Sequence, residues 1–214
     1  MTGATARRIA VIGAGKVGGG IGLAWLRAGH DVRWGVRDRS GVGRDGPPPE
    51  RLFDPVTAIE GADAILLATP WQAAEQAVRG LGDLAGRLLI DATNPLRMGA
   101  HGLELALGFD TSGAERIADW APGARVVKTL NQTGAENMAD AERFARRPVM
   151  FVAGDDAEGK AIAMALVGDL GFEAIDAGPL RSARLLEPLA MLWIDQAFNR
   201  DAGRDFALAL ARAS

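Results

Sequence analysis

The sequence contains no cysteine and no tyrosine, and only two histidines, His30 and His101. Without cysteine there is no disulfide, no thiolate metal site and no thiol nucleophile. Two histidines are too few for a histidine-rich metal centre, so no metal is expected. The lack of tyrosine excludes the tyrosine–lysine pair of short-chain alcohol dehydrogenases. No apolar run approaches the roughly 20 residues that span a bilayer, because glycine or charge interrupts each one. A formal net charge of −3 argues against nucleic acid as a partner. Residues 1–8 are polar and lack the apolar core of a signal peptide. The expectation is therefore a cytoplasmic protein with neither a membrane nor a nucleic-acid partner.

What is present is an alternation of short apolar runs with helical stretches. Residues 9–12, 64–68, 88–91, 126–130 and 149–153 read as buried strands, and 31–35 and 173–176 as further ones. Helices are expected over 17–28, stopped by Gly29, over 72–81, and between Asp155-Asp156 and Gly171. Residues 36–57 are rich in glycine and proline and should hold no long helix, and the stretch between 91 and 126 reads as loop-rich. The pattern implies an α/β fold: a Rossmann-type, doubly wound, mostly parallel sheet over residues 1–179, followed by a C-terminal helical segment over 180–214. Within that segment residues 188–194 are apolar all round. Such a helix should be buried, against the domain or, more readily, at a homodimer interface.

After the first strand comes Gly13-Ala14-Gly15-Lys16-Val17-Gly18, a G-x-G-x-x-G run that opens a helix. The first glycine allows the tight turn, the second lets backbone approach a diphosphate, and the third lets helix and strand pack closely. The free amides of the helix start favour an anion. Strand, turn and helix in this order are the context the motif requires. Gly19, Gly20 and Gly22 follow. Each costs about 1 kcal/mol against alanine in a helix, so either a bulky ligand or a close helix–sheet contact needs the space.

The end of the second strand reads Trp34-Gly35-Val36-Arg37-Asp38. An NAD site places an acid there to hold the ribose hydroxyls. Gly35 stands in that place, and Arg37 follows, whose guanidinium suits a 2′-phosphate. NADP(H) is the expected cofactor, with Arg39 or Arg44 assisting. Asp38 dissents, as a displaced ribose ligand.

Taken in order, Gly13 to Gly18, Gly35-Val36-Arg37, Ala68-Thr69-Pro70, Asp91 to Pro95, Lys128 to Glu136, Phe151 to Asp155 and Ala177 to Leu180 resemble the NADPH-dependent coenzyme F420 reductases, also called deazaflavin-dependent NADP oxidoreductases. The resemblance implies NADP(H) binding by Gly13, Gly15, Lys16, Val17, Gly18 and Arg37, with Thr69 and Pro70 at the nicotinamide half. It implies that Asn94, Pro95, Asn131, Thr133, Gly134 and Ala135 frame the second redox partner, coenzyme F420 or a flavin-like acceptor. Val36 stands where members often carry Ser or Thr, which leaves the 2′-phosphate resting more on Arg37.

Acid–base candidates are sparse. His30 lies in a helix-to-strand turn away from the ligand edge and reads as structural. His101, in a glycine-flanked loop, is a candidate proton donor. Lys128 either contacts a substrate acid or keeps its head in water. Lys128 and Asn131 are three apart at a strand end, not four apart on a helix as in 3-hydroxyacid dehydrogenases. Thr69, Asn94, Asn131 and Pro179 all follow strands and should collect at the carboxyl edge of the sheet. Three functions stay open: hydride transfer to a deazaflavin, reduction of a small imine or carbonyl, and non-catalytic NADP(H) sensing. The deazaflavin reading suits the shortage of acid–base groups, since two aligned rings need little proton help.

Overall fold

The structure, a computed structural model, describes residues 5–43, 46–100 and 102–213. The first half runs β1 (Arg8–Ile12), α1 (Lys16–Arg27), β2 (Asp31–Gly35), β3 (Leu52–Phe53), α2 (Pro55–Ala58), β4 (Ala64–Leu67), α3 (Trp71–Gly80) and β5 (Leu88–Asp91). The second half runs β6 (Leu96–Gly99), β7 (Gly102–Leu105), α4 (Gly113–Trp120), β8 (Arg125–Lys128), α5 (Ala135–Ala139), β9 (Val149–Gly154), α6 (Ala157–Gly168), β10 (Glu173–Gly178) and α7 (Ala183–Asn199).

Eight strands form one sheet in the order β10-β9-β8-β5-β4-β1-β2-β3. Four-residue runs such as Ala64–Leu67 and Leu88–Asp91 are buried throughout, as strands covered on both faces must be. One face packs Trp25, Trp34, Leu166 and Phe172, the other Leu67, Val78, Ile117 and Leu180. Trp25 donates its indole N–H to Leu166 O at 2.9 Å, fastening α1 to α6 across the sheet order.

The pairing is parallel except between β8 and β9. Because β9 reverses and β10 runs parallel to β9, these two strands point their carboxyl ends the opposite way from β1, β4, β5 and β8. This reversal corrects one expectation. Pro179, just after β10, falls at the amino edge of the central strands and does not join Thr69, Asn94 and Asn131.

The stretch read as loop-rich holds two elements, the antiparallel hairpin β6–β7 and α4. Helix α4 is capped: Ser112 Oγ accepts from the Glu115 amide at 3.2 Å and donates to Glu115 Oε2 at 2.7 Å. The S-x-x-E spacing that marks such a cap was present in the sequence. Among the described residues of 36–57 there are the 3-10 turn Pro49–Arg51 and the two-residue β3 before α2 begins.

The segment after residue 180 is only partly helical. Helix α7 buries one stripe, Leu186, Ala190, Trp193 and Ala197, while Leu185 and Leu192 remain 71% and 57% exposed. Burial all round is therefore not reached within one chain, because α7 has the domain on one side only. Residues 200–213 then run without helix over α5, β9 and β10. Phe206 O accepts from Trp193 Nε1 and Asn137 Nδ2, Leu208 O from the Val149 amide, and Arg212 pairs with Glu173. Among the described residues no helix is long and apolar enough to cross a membrane.

Candidate functional site

The turn from β1 into α1 is shaped by steric necessity. Gly13 has φ +105°, and a Cβ on it would lie 2.7 Å from Ala68 O. A Cβ on Gly18 would lie 2.1 Å from Gly13 O. At Gly15, by contrast, a Cβ would meet nothing within 4 Å. Its bare backbone faces open space at the N-cap of α1, where no side chain caps the helix and no acid stands in the first turn. Free amides and a positive helix end are thereby left for an anion. Two of the additional glycines serve packing: a Cβ on Gly22 would strike the Trp34 ring at 2.4 Å, and one on Gly20 would press on Ala139 Cβ at 3.2 Å. Gly22 thus lets Trp34 reach Gly18 O with its indole N–H at 3.0 Å.

On one side of this turn lies a cavity of about 460 Å³, walled by Gly13, Gly35, Arg37, Asp38, Thr69 and Pro70 among others. The Arg37 guanidinium is exposed there and is held by Gln76, Nη1 to Oε1 at 2.8 Å. Gly35 is closed to a carboxylate, since even a Cβ would lie 2.9 Å from both Ile12 Cδ1 and the Pro55 backbone. Asp38 is tied into its own turn by the hydroxyl and amide of Ser40 at 2.7 and 2.8 Å, which hold its carboxyl below the usual range. Arg39 lines a separate groove beside Val42. Arg44 lies outside the described residues, and so does His101. Among the described residues the Thr69 hydroxyl at the end of β4 is buried without a hydrogen-bond partner, as are those of Thr93 after β5 and Thr129 after β8. Sequence reasoning singled out Thr69 of the three and missed the row they form along neighbouring strands.

On the other side of the turn a second cavity, about 720 Å³, is walled by Ala14 to Lys16, the α5 residues Ala135 and Glu136, and Arg204. Val17 lies partly buried against the core. Asn94 and Asn131 meet as expected, but chiefly through each other. Asn94 Nδ2 donates to Asn131 O, and Asn131 Nδ2 to Asn94 Oδ1, both at 3.0 Å. Thr133 donates to Phe206 O at 3.3 Å and accepts from Asn137 at 2.9 Å. Pro95 is buried, and Gly134 makes room for Trp193, whose ring stands 2.9 Å from the position of a Cβ. These residues shape a wall more than they offer free hydrogen-bonding groups. Arg204 was not foreseen; it lies in the irregular segment after α7, where no periodicity marks it.

Lys128 takes neither role the sequence allowed. It is fully buried, with Nζ donating to Asp91 Oδ2 at 2.8 Å and Thr93 O at 2.5 Å, and lying 3.1 Å from Glu187 Oε1. Glu187 in turn accepts from the Gly113 and Ala114 amides at the start of α4, at 2.9 and 3.2 Å. Burial pulls Lys128 down, but the Asp91 and Glu187 carboxylates outweigh it and hold the amine above its ordinary value. Burial pushes Glu187 up, against the pull of Lys128. Just beyond, buried Leu130 has φ +57°, a strained conformation for a branched side chain. His30 is structural: Nδ1 accepts from the Arg7 amide at 3.2 Å and Nε2 faces Asp169 at 3.1 Å. Among the described residues no group of His, Asp and Glu is arranged to hold a metal.

An uncapped helix start behind a parallel strand, glycines whose Cβ atoms have no room, an orphaned Thr69 hydroxyl and a guanidinium across the cavity fit a dinucleotide. They define a Rossmann-type dinucleotide-binding protein. A family model described as NADP oxidoreductase, coenzyme F420-dependent, matches residues 8–95. A candidate F420-dependent NADP reductase from Arthrobacter sp. FB24 has the same fold at TM-score 0.85 and 33% identity, covering 96% of this chain and 100% of that one. This chain belongs to the family of coenzyme F420-dependent NADP oxidoreductases. It is also similar to the metalloreductase STEAP3 of Rattus norvegicus, 26% identical over 87% of this chain and 37% of that protein. The NAD(P)+ glycerol-3-phosphate dehydrogenase of Mesorhizobium japonicum is 29% identical over 83% of this chain and 59% of the dehydrogenase. The chain thus spans between about a third and three fifths of the length of these curated relatives. The family and these relatives are redox proteins, and the family is NADP-dependent.

Proposed function

We propose that the chain transfers hydride between NADP(H) and a deazaflavin, coenzyme F420, or a flavin-like acceptor. The observation that carries the NADP(H) half of this reading is the placement of Gly13 and Arg37 around one cavity while packing closes position 35 to an acid; the deazaflavin half rests on the family likeness. NADPH would supply the hydride; the chain's residues bind, orient and exclude water. The α1 amides at Gly15 and Lys16 take the diphosphate. Arg37, steadied by Gln76, takes the 2′-phosphate. Thr69 and Pro70 stand at the nicotinamide half. The Asn94–Asn131 pair and the Gly134-Ala135 start of α5 frame the acceptor.

Of the described ionisable side chains near that frame, Asp91, Lys128 and Glu187 are locked into one buried cluster and Glu136 is paired with Arg204. A site built this way favours an acceptor aligned ring to ring over an imine or carbonyl, whose reduction needs a proton donor. The exposed stripe of α7, with Leu185 and Leu192, is best covered by a second copy of the chain, and we place the proposed homodimer there.

NADPH oxidation followed in parallel with deazaflavin, flavin and imine acceptors tests the reading. Turnover is expected with the deazaflavin. Turnover with the imine alone, lost on His101→Ala, would replace it by imine reduction. Tight NADPH binding with no turnover of any acceptor would leave a sensor.

A further inference from the structure

The cavity on the far side of α1 contains a charge arrangement the reading above does not use. Arg204 lies 36% exposed in its wall and pairs with Glu136 along one edge of its guanidinium: Nη2 donates to Oε2 at 2.7 Å, while Nε lies 2.6 Å from Oε1 in ion-pair contact without hydrogen-bond geometry. The guanidinium also stacks 5.1 Å over the Phe198 ring. Its backbone is fixed: buried Asn137 donates to the carbonyls of both Arg204 and Phe206 at 2.9 Å, and Phe206 stacks on Trp193 with ring centroids 5.2 Å apart. Lys16 shares the cavity and helps to hold the Glu136 carboxyl low, after the larger effect of Arg204. Two cations therefore face one carboxylate beside the uncapped start of α1.

A partly exposed ion pair of this kind contributes little to stability. That makes it a poor reason to pin an irregular segment so firmly. The same geometry is well suited to ligand capture. A planar guanidinium held in place loses little freedom when it exchanges one oxyanion for another.

We propose that Arg204 is an anion-binding residue of this cavity, taking a phosphate of a bound ligand together with Lys16 and the α1 amides, and that Glu136 is the internal competitor the phosphate displaces. The inference rests on the dinucleotide reading, since it needs a phosphate-bearing ligand at the α1 turn. Two sources share that chemistry: the diphosphate of NADP(H), and a phosphate chain on the deazaflavin.

The experiment is equilibrium titration of the full chain with NADPH, the 5-deaza analogue of FMN, and uncharged 5-deazariboflavin, for the parent, Arg204→Gln and Glu136→Gln. Arg204→Gln should weaken whichever phosphate ligand uses the cavity by about tenfold, as expected for losing a charge-assisted bond in a partly exposed site. Glu136→Gln should tighten the same ligand two- to threefold. Uncharged deazariboflavin should bind all three proteins alike. A change with NADPH assigns the diphosphate, and a change with deaza-FMN assigns the acceptor's phosphate.

The opposite signs separate capture from scaffolding, because both substitutions break the same ion pair and a purely structural pair would weaken binding in both. The proposal alone is overturned if NADPH binds the parent and Arg204→Gln leaves both phosphate ligands unchanged, or if Glu136→Gln weakens binding as Arg204→Gln does. It falls together with the dinucleotide reading if the parent binds neither NADPH nor deaza-FMN.

Discussion

Pro55 stands where a side chain on Gly35 would have to go: a Cβ at position 35 would lie 2.9 Å from Pro55 Cα. The first residue of α2 therefore decides what the end of β2 can carry. Gly35→Asp, the substitution that would copy an NAD site, should not create one. It should cost roughly 2–4 kcal/mol of stability through overpacking and a crowded charge. NADH affinity should stay unchanged. Thermal melting together with an NADH titration checks this, and a variant that melts normally and binds NADH more tightly would refute it.

Arg37 should set the preference between cofactors. Its guanidinium reaches only Gln76 among the described residues' hydrogen bonds, so Arg37→Ala removes little internal structure. NADPH affinity should fall about ten- to a hundredfold, with NADH affinity unchanged. A parent with no preference for NADPH, or a preference that survives the substitution, would contradict the assignment.

The buried cluster should resist dismantling. Lys128→Met leaves the Asp91 and Glu187 carboxylates facing each other without a cation and should cost about 3–5 kcal/mol. Glu187→Gln should be far milder and should carry a pH signature. The folded protein holds this carboxyl above its ordinary 4.5, so the native state binds the proton more tightly than the unfolded chain does. Glu187 therefore contributes stability below about pH 4.5, and the contribution is lost as pH rises through its folded value. The denaturation midpoint of Glu187→Gln relative to the parent should move in favour of the variant as pH rises from 4 to neutrality. A difference that is flat with pH, or that slopes the other way, would show that the carboxyl is not held up.

Covering α7 with a second copy predicts a dimer at micromolar concentration. Leu192, 57% exposed in the single chain, should be central enough that Leu192→Glu yields monomers of unchanged melting profile. Sedimentation equilibrium distinguishes the two. A parent that is already monomeric would discard the interface.

The sheet was legible because its strands are short apolar runs set between helical stretches, and the phosphate turn because steric rules dictate its glycines. The residues of the turn, Gly13 to Gly18, appear where the spacing places them. The reversal of β9 was not legible. Val149–Gly154 is buried on both faces, like a parallel strand, and composition says nothing of direction. That blind spot sent Pro179 to the wrong edge. Lys128 was misread because a lone lysine on a strand carries no sign of Asp91, 37 residues earlier, or of Glu187 on a helix beyond β10. The α4 helix was missed through its length: eight residues give periodicity too few turns, and the Ser112–Glu115 cap was the one signal available.

The segment that follows α7 reaches back across 67 to 73 residues to Asn137 and Thr133. As the polypeptide leaves the ribosome, the parallel strands and the glycine turn can assemble while residues 204–208 are still in the exit tunnel. The second cavity then lacks a wall. A nascent chain would therefore complete the cavity between Gly13 and Arg37 first, and the Arg204 wall of the second cavity would close last.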